Sequence, residues 1–205
     1  AASDVYKRQH RGENVPIRGQ AWSGKYPIQV GRRGVTKKGN RIDRVKTRVV
    51  VLGSTGSIGT QALEVMADNP ERFELVGISA HGSKPEVLAQ QVRDFGLDLA
   101  RVAVASEHTA EWLDGEFGAH CIRGKDSARE LVEAIGPELG EGDVILNALV
   151  GSLGLDATLA TLGTKAKLAL ANKESLVAGG QLVLKAADEG QLIPVDAEHS
   201  AMAQC

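Results

Sequence analysis

The chain has 205 residues, with 24 Lys and Arg against 26 Asp and Glu and only 3% aromatics. That is length for one sizeable domain and the beginning of a second. The near-neutral total hides a split: residues 1–48 carry 13 basic and 3 acidic side chains, and residues 49–205 carry 11 and 23. An acidic main body argues against nucleic acid as a partner. Cys121 and Cys205 give neither a disulfide framework nor a zinc spacing, and no apolar run is long enough to span a membrane. A reducing cytoplasm is the default expectation.

Residues 1–47 show no hydrophobic period, are rich in Gly, Arg and Lys, and contain the breakers Pro16 and Pro27. They are expected to be a basic leader, disordered or non-native, outside the fold. The run Asp4–Gln9, DVYKRQ, resembles the translation of a sequencing adapter, which is why a non-native origin is expected. A targeting peptide would need more serine than Ser3 and Ser23 supply.

From Arg48 onward the text alternates. Val49–Leu52 is an apolar, mostly β-branched run that stops at Gly53. Gly56 and Gly59 follow, and then a helical spacing, with Leu63 and Met66 on one stripe and Ile58, Ala62 and Val65 beside it. Strand, glycine turn, helix is the order a dinucleotide site requires, because small residues let the backbone approach a pyrophosphate that sits on the helix N-terminus. An ordinary βα turn with spare glycines is the competing reading. Phe73–Ser79 reads as a strand, Pro85–Phe95 as a helix opened by proline, Arg101–Val104 as a strand, and Glu107–Leu113 and Lys125–Ile135 as helices. Asp143–Asn147 is a strand, Leu153–Leu162 a helix and Lys167–Leu170 a strand. Glu174–Glu189 is helical with an interruption at Gly179-Gly180, and Gln191–Val195 is a last strand. Strands separated by helices predict an α/β fold: a Rossmann-like, doubly wound parallel sheet over residues 48–190. Residues 191–205 are expected to begin a catalytic, metal-binding domain that the chain, stopping at Cys205, truncates.

Three clusters carry chemistry. NAD-preferring folds place an acid after the second strand to hold the ribose 2′-hydroxyl. Here Ser79–Lys84 reads SAHGSK, with no acid and with hydroxyl and cationic donors, so NADPH is the expected cofactor; a solvated loop is the alternative. The second cluster, Asn172-Lys173-Glu174-Ser175, lies between a strand and a helix, where ligands sit in doubly wound folds. Helix capping by Asn172, with Glu174 near the dipole, explains it equally well. The third is Asp196-Ala197-Glu198-His199. On a continuing strand Asp196 and Glu198 point to one face, and paired carboxylates suit Mg²⁺ or Mn²⁺ better than zinc; a solvated loop is again the alternative.

Four segments in order, GSTGSIG (Gly53–Gly59), NALVGSLGL (Asn147–Leu155), LALANKESLVAGG (Leu168–Gly180) and PVDAEHSAMAQC (Pro194–Cys205), closely resemble the 1-deoxy-D-xylulose 5-phosphate reductoisomerase family, in an actinobacterial wording. The resemblance covers about Thr47 to Cys205. It implies an NADPH- and divalent-metal-dependent enzyme acting on a sugar phosphate in isoprenoid precursor synthesis, a homodimer at full length. A ketose phosphate would rearrange to a branched aldehyde phosphate and be reduced to 2-C-methyl-D-erythritol 4-phosphate. By motif position, Gly53, Thr55, Gly56, Ser57 and Ile58 would line the pyrophosphate, and His81, Gly82 and Ser83 would hold the adenosine phosphate end. Asn172 and Glu174 would contact the cofactor. Lys173 and Glu198 would be the catalytic, substrate-contacting residues, and Asp196 and Glu198 the metal ligands. Two departures stand out: Ala80-His81-Gly82-Ser83 replaces the family's Ala-Gly-x-Asn, and Ala197 replaces a substrate-binding serine.

Other classes fare worse. A short-chain dehydrogenase needs a Tyr-x-x-x-Lys pair beyond the glycine turn, and the tyrosines, Tyr6 and Tyr26, both precede it. A semialdehyde-type dehydrogenase needs an activated cysteine, and Cys121 lies in AHCIRG with no evident activator. A non-catalytic NADP-sensing module has no need of the Asp196/Glu198 pair.

Overall fold

The computed structural model describes residues 45–151 and 153–195. Val49–Leu52 is apolar at every position because it lies at the centre of a parallel sheet covered on both faces. Strand β1 (Thr47–Leu52) pairs in parallel with β2 (Phe73–Ala80) on one side and β5 (Val144–Asn147) on the other. With β3 (Val102–Val104), β4 (Ile122–Arg123), β6 (Lys167–Leu170) and β7 (Leu192–Pro194) the order is β4-β3-β2-β1-β5-β6-β7, all parallel. Strand order therefore reverses at β1, and a crevice opens between the carboxyl ends of β1 and β5.

The side-chain period of two sorts β1 between two cores. Val49 and Val51 join one cluster with Leu63 and Met66 of α1 (Ser57–Ala67), Leu88 and Val92 of α2 (Pro85–Phe95) and Leu113 of α3 (Glu107–Phe117). Val50 and Leu52 join the other, with Leu131, Val132 and Ile135 of α4 (Ser127–Ile135) and Ala157 of α5 (Leu153–Leu162). A third cluster, including Leu168, Leu170 and Val183, seats α6 (Lys173–Ala186) beside α5. No helix among the described residues is long and apolar enough to cross a membrane.

The expected elements are present, with several corrections. The Leu63/Met66 stripe is buried, with Gly59 added to it, and Ile58 and Val65, placed beside that stripe by the sequence, are 39% and 56% exposed. Helix α3 runs on to Phe117, ending at Gly118 with φ +67. Helix α4 starts at Ser127, not Lys125, because Gly124 turns the chain at φ +100. β4 and two short 3₁₀ turns, Leu99–Arg101 and Gly136–Glu138, were not expected. Gly179-Gly180 does not interrupt α6, which ends at Ala186 instead of Glu189. A Cβ on Gly179 would lie 2.4 Å from a Leu155 methyl, so the glycine permits close α5–α6 packing, which offsets its poor helix propensity. Leu192–Pro194, assigned by sequence to a second domain, pairs with β6 as the seventh strand of this same sheet.

The amino ends of β1 and β5 are locked by one ion pair. Asp143, 6% exposed, accepts from the Arg48 guanidinium at 2.6 Å, the Arg48 N–H at 3.1 Å and the Gly140 N–H at 2.7 Å. Burial alone would raise its carboxyl's pKa, but these donors outweigh it and hold the pKa below the usual range. A lowered native pKa means that the carboxylate stabilises the fold above the ordinary value near 4 and loses that contribution as pH falls through the native one. Asp143→Asn should cost about 1–3 kcal/mol at neutral pH, and the loss should shrink as pH drops below about 4. Urea denaturation of both proteins from pH 7 to pH 2.5 measures this; a penalty independent of pH would remove the charge from the explanation.

Candidate nucleotide site

The turns after β1, β5 and β6 hang from the neighbouring strands by further backbone bonds. The Gly53 and Ser54 N–H groups both donate to the Ser79 carbonyl at 2.8 Å, Ala148 N–H to Leu52 at 2.9 Å, and Ala171 N–H to Asn147 at 2.9 Å. The turns are thus extensions of the sheet, and the groups they carry are held by it.

The glycines of the first turn have distinct physical duties. Gly53 has φ +85, and a Cβ there would lie 2.6 Å from the Ala148 carbonyl oxygen. At Gly59, in α1, a Cβ would lie 2.2 Å from the Gly53 carbonyl oxygen and 2.7 Å from Ser54 Cα. The helix therefore sits directly against the end of β1. Gly56 is the N-cap, without a side-chain cap, so the first-turn amides of α1 face outward with the positive end of its dipole.

A cleft of about 360 Å³ opens beside this turn. Its floor is Gly53, Thr55 and Gly56; the β2 turn adds Ser79, His81, Ser83 and Lys84; and the β5 turn adds Ala148, Leu149 and Val150. Lys84 Nζ donates to the Thr55 carbonyl at 3.2 Å, tying the two turns together. Gly82, at φ +103, is packed under its turn, its carbonyl accepting from Thr109 Oγ1 at 2.8 Å. Ser54 and Ser79 keep buried hydroxyls without a hydrogen-bond partner among the described residues. A wider groove, of about 1140 Å³, lies at the amino ends of the strands; in open α/β sheets, ligands bind at the opposite end.

Of the residues singled out by sequence, Gly53, Thr55, Gly56, His81 and Ser83 line the cleft. Ser57 and Ile58 are exposed on the first turn of α1. Asn172 is buried, and its side-chain amide donates to the Leu149 carbonyl at 2.6 Å and the Gly151 carbonyl at 3.1 Å, fixing the loop that forms the third wall. Asn147 does similar work from below, donating to the Gly154 carbonyl and Thr158 Oγ1, both at 2.9 Å. Lys173 is the first residue of α6, and Glu174 is exposed beside it. Asp196, Ala197 and Glu198 lie outside the described residues. Among the described residues no group of acidic, His and Cys side chains could hold a metal. The sequence reading missed a further wall, Lys125 to Arg129, contributed by the first turn of α4; the only local signal was a pair of cations four residues apart.

Cys121 is no nucleophile. It is 7% exposed, its Sγ lies 3.8 Å from the Ala110 carbonyl, and burial first, then the neighbouring Asp114 carboxylate, push its thiol up to about 11. Asp114 is itself brought down to about 2: burial opposes its ionisation, but His120, the Cys121 N–H and Arg123 together prevail.

The chemistry of the cleft fits a dinucleotide: a glycine cradle that a Cβ would fill, a helix N-terminus, the buried Ser79 hydroxyl with no partner among the described residues, and Lys84 with no acid at the end of β2. Comparison with known proteins agrees. A sequence profile of the family described as 1-deoxy-D-xylulose 5-phosphate reductoisomerase matches residues 49–180. The reductoisomerase of Corynebacterium jeikeium is 96% identical over 176 residues, covering 86% of this chain and 43% of that protein. That of Mycobacterium tuberculosis is 58% identical over 160 residues, covering 78% and 36%. Among solved structures, the Zymomonas mobilis reductoisomerase in complex with NADPH superposes with a TM-score of 0.68 at 32% identity, covering 78% of this chain and 41% of that one. A DOX-P reductoisomerase complex with NADPH, fosmidomycin and magnesium gives 0.68 at 28% identity, covering 78% and 38%. The chain thus spans about two fifths of the length of these relatives.

Gly59→Ala should drive α1 off the end of β1 and cost more than about 2 kcal/mol, since the clash is with backbone. Gly180→Ala, in a helix with nothing within 4 Å of the added Cβ, should instead stabilise by up to about 1 kcal/mol. Thermal melts of the two variants check this pair; equal effects would contradict the close-packing argument.

Proposed function

Because the chain belongs to the 1-deoxy-D-xylulose 5-phosphate reductoisomerase family, we propose that it is the nucleotide-binding part of an NADPH- and divalent-metal-dependent reductoisomerase. Its substrate is 1-deoxy-D-xylulose 5-phosphate and its product 2-C-methyl-D-erythritol 4-phosphate. The observation that carries the reading is the cleft at the β1/β5 reversal. It combines the glycine cradle with Ser83 and Lys84 at the end of β2, where an NAD enzyme would place a carboxylate.

Gly53, Thr55, Gly56 and the first-turn amides of α1 would hold the pyrophosphate, and His81, Ser83 and Lys84 the adenosine phosphate. NADPH, when bound, supplies the hydride for the reductive half of the reaction. Asn172 keeps the β5 loop in place, so the cleft wall is preorganised. Lys173, at the N-terminus of α6, is placed by its element at the carboxyl edge of the sheet, on the side where β6 ends; there it would steady an anionic substrate. Val195 N–H donates to the Leu170 carbonyl at 3.1 Å, so the chain reaches the same edge immediately before Asp196. Asp196 and Glu198 would supply the carboxylate oxygens a hard divalent cation prefers, and Glu198 would also contact substrate. The cation would polarise the ketone and stabilise developing alkoxide charge. At full length a homodimer in the cytoplasm is the expected setting.

NADPH should bind the chain at least about 10-fold more tightly than NADH, because only the former uses the cationic β2 turn. Fluorescence titration decides it, and equal affinities would defeat the cofactor reading. In a chain extended to the relatives' length, Asp196→Asn should lower metal-dependent kcat by about 100-fold or more while changing the NADPH Kd less than about 2-fold. Retained turnover at ordinary metal concentration would take Asp196 out of the metal site.

A further inference from the structure

The wall contributed by α4 is not accounted for by the glycine turn or by the β2 turn. β4 is only two residues long, and pairing places it: Ala103↔Ile122 and Val104↔Arg123. Beyond it the Gly124 N–H donates to the Val104 carbonyl at 3.0 Å, and on the next turn the Ser106 N–H donates to the His81 carbonyl at 2.9 Å. Backbone bonds thus link the β4 turn to the β3 strand end, and the β3 turn to the β2 turn. Gly124, at φ +100, then sends the chain into α4, whose buried Ser127 (2% exposed) opens the helix in the cleft.

The charges there are unequal in availability. Lys84, Lys125 and Arg129 line the cleft together with the carboxylates Asp126 and Asp156. Arg129 is engaged by Glu133, one turn along its own helix, at 2.7 Å. Lys84 is anchored on the Thr55 carbonyl. Lys125 is exposed and has no ion-pair partner among the described residues. An independent feature also points to a ligand: Ser79, 1% exposed at the end of β2, lines the same cleft, and its buried hydroxyl has no hydrogen-bond partner among the described residues. A buried hydroxyl left unpaired is costly, and a ligand oxygen would satisfy it.

We infer that the turn into α4 is a second specificity-determining contact for the adenosine end of NADPH, with Lys125 meeting the 2′-phosphate together with Lys84. The inference rests on the NADP(H) reading above and adds to it a residue from an element two strands away from β2. A 2′-phosphate is close to dianionic; two lysines from separate turns pair with that charge, whereas the 2′-hydroxyl of NADH offers them only a neutral acceptor. The N-terminal amides of α4, a nine-residue helix, add the favourable end of its dipole.

The test is titration of the chain with NADPH and with NADH, unsubstituted and as Lys125→Gln, Lys125→Arg and Lys165→Gln. Lys165 precedes β6 at the far end of the sheet and controls for net charge. Lys125→Gln is expected to weaken NADPH by about 5- to 30-fold and NADH by less than about 2-fold. Lys125→Arg should keep most of the NADPH affinity, and Lys165→Gln should leave the ratio unchanged. Equal weakening of both dinucleotides by Lys125→Gln, or of neither, would overturn the inference while leaving NADPH binding intact. A folded chain, by circular dichroism, that binds neither dinucleotide would overturn the NADP(H) reading and this inference with it.

Discussion

The contact between Gly59 and the Gly53 carbonyl is the constraint on which the site depends. A parallel strand delivers its chain to the carboxyl edge with nowhere to go except into a turn, and a helix must then pack back over the sheet. With Cβ distances of 2.2 Å from Gly53 and 2.6 Å from Ala148 at positions 59 and 53, side chains would push the helix and the β5 loop away from the strand end. The glycines set the depth of the cleft as well as the sharpness of the turn.

The walls are held by a different device. Asn172, buried, spends its amide on the Leu149 and Gly151 carbonyls of the β5–α5 loop, while buried Asn147 donates to the Gly154 carbonyl and Thr158 Oγ1 of α5 and accepts from the Leu149 N–H of the loop. An irregular segment needs partners for its backbone groups, and here they come from two strand ends below it. The same buried asparagine can therefore be a structural strut and a neighbour of ligand. On the other side, bonds from Ser106 to His81 and from Thr109 Oγ1 to Gly82 fix the β2 turn against α3. The backbone of the His81-Gly82-Ser83 turn is thereby tied down, so the donors it offers stand on a fixed support.

Stability and recognition are segregated along the strands. The amino ends carry the Arg48–Asp143 pair, whose job ends with joining β1 to β5. The carboxyl ends carry the buried Ser54 and Ser79 hydroxyls, which have no hydrogen-bond partner among the described residues and which a purely structural interior would pair or omit. The Asp114–His120–Arg123 cluster is structural too: it closes the α3–β4 turn, while burial first and then the Asp114 carboxylate keep the Cys121 thiol protonated against the opposing pull of Arg123.

The sequence by itself determined the class of fold, the position of the glycine turn and the absence of an acid after β2. These are local facts: a period of two or 3.6, a residue type at a fixed offset, and motifs read in order. The structure added what local patterns do not hold. β4, at two residues, has no period to detect and exists only because β3 offers an edge. Gly179-Gly180 reads as a break, yet α6 continues because Leu155 packs where a side chain would stand. Leu192–Pro194 reads as the start of another domain, yet β6 takes it as a partner. Lys125 enters the cleft for the same reason: it is 41 residues from Lys84 in the chain, and only the pairing of β2, β3 and β4 brings the two turns to one edge. Strand order is a property of the whole sheet, set by which edges bury the most surface, and no segment of the sequence encodes it alone.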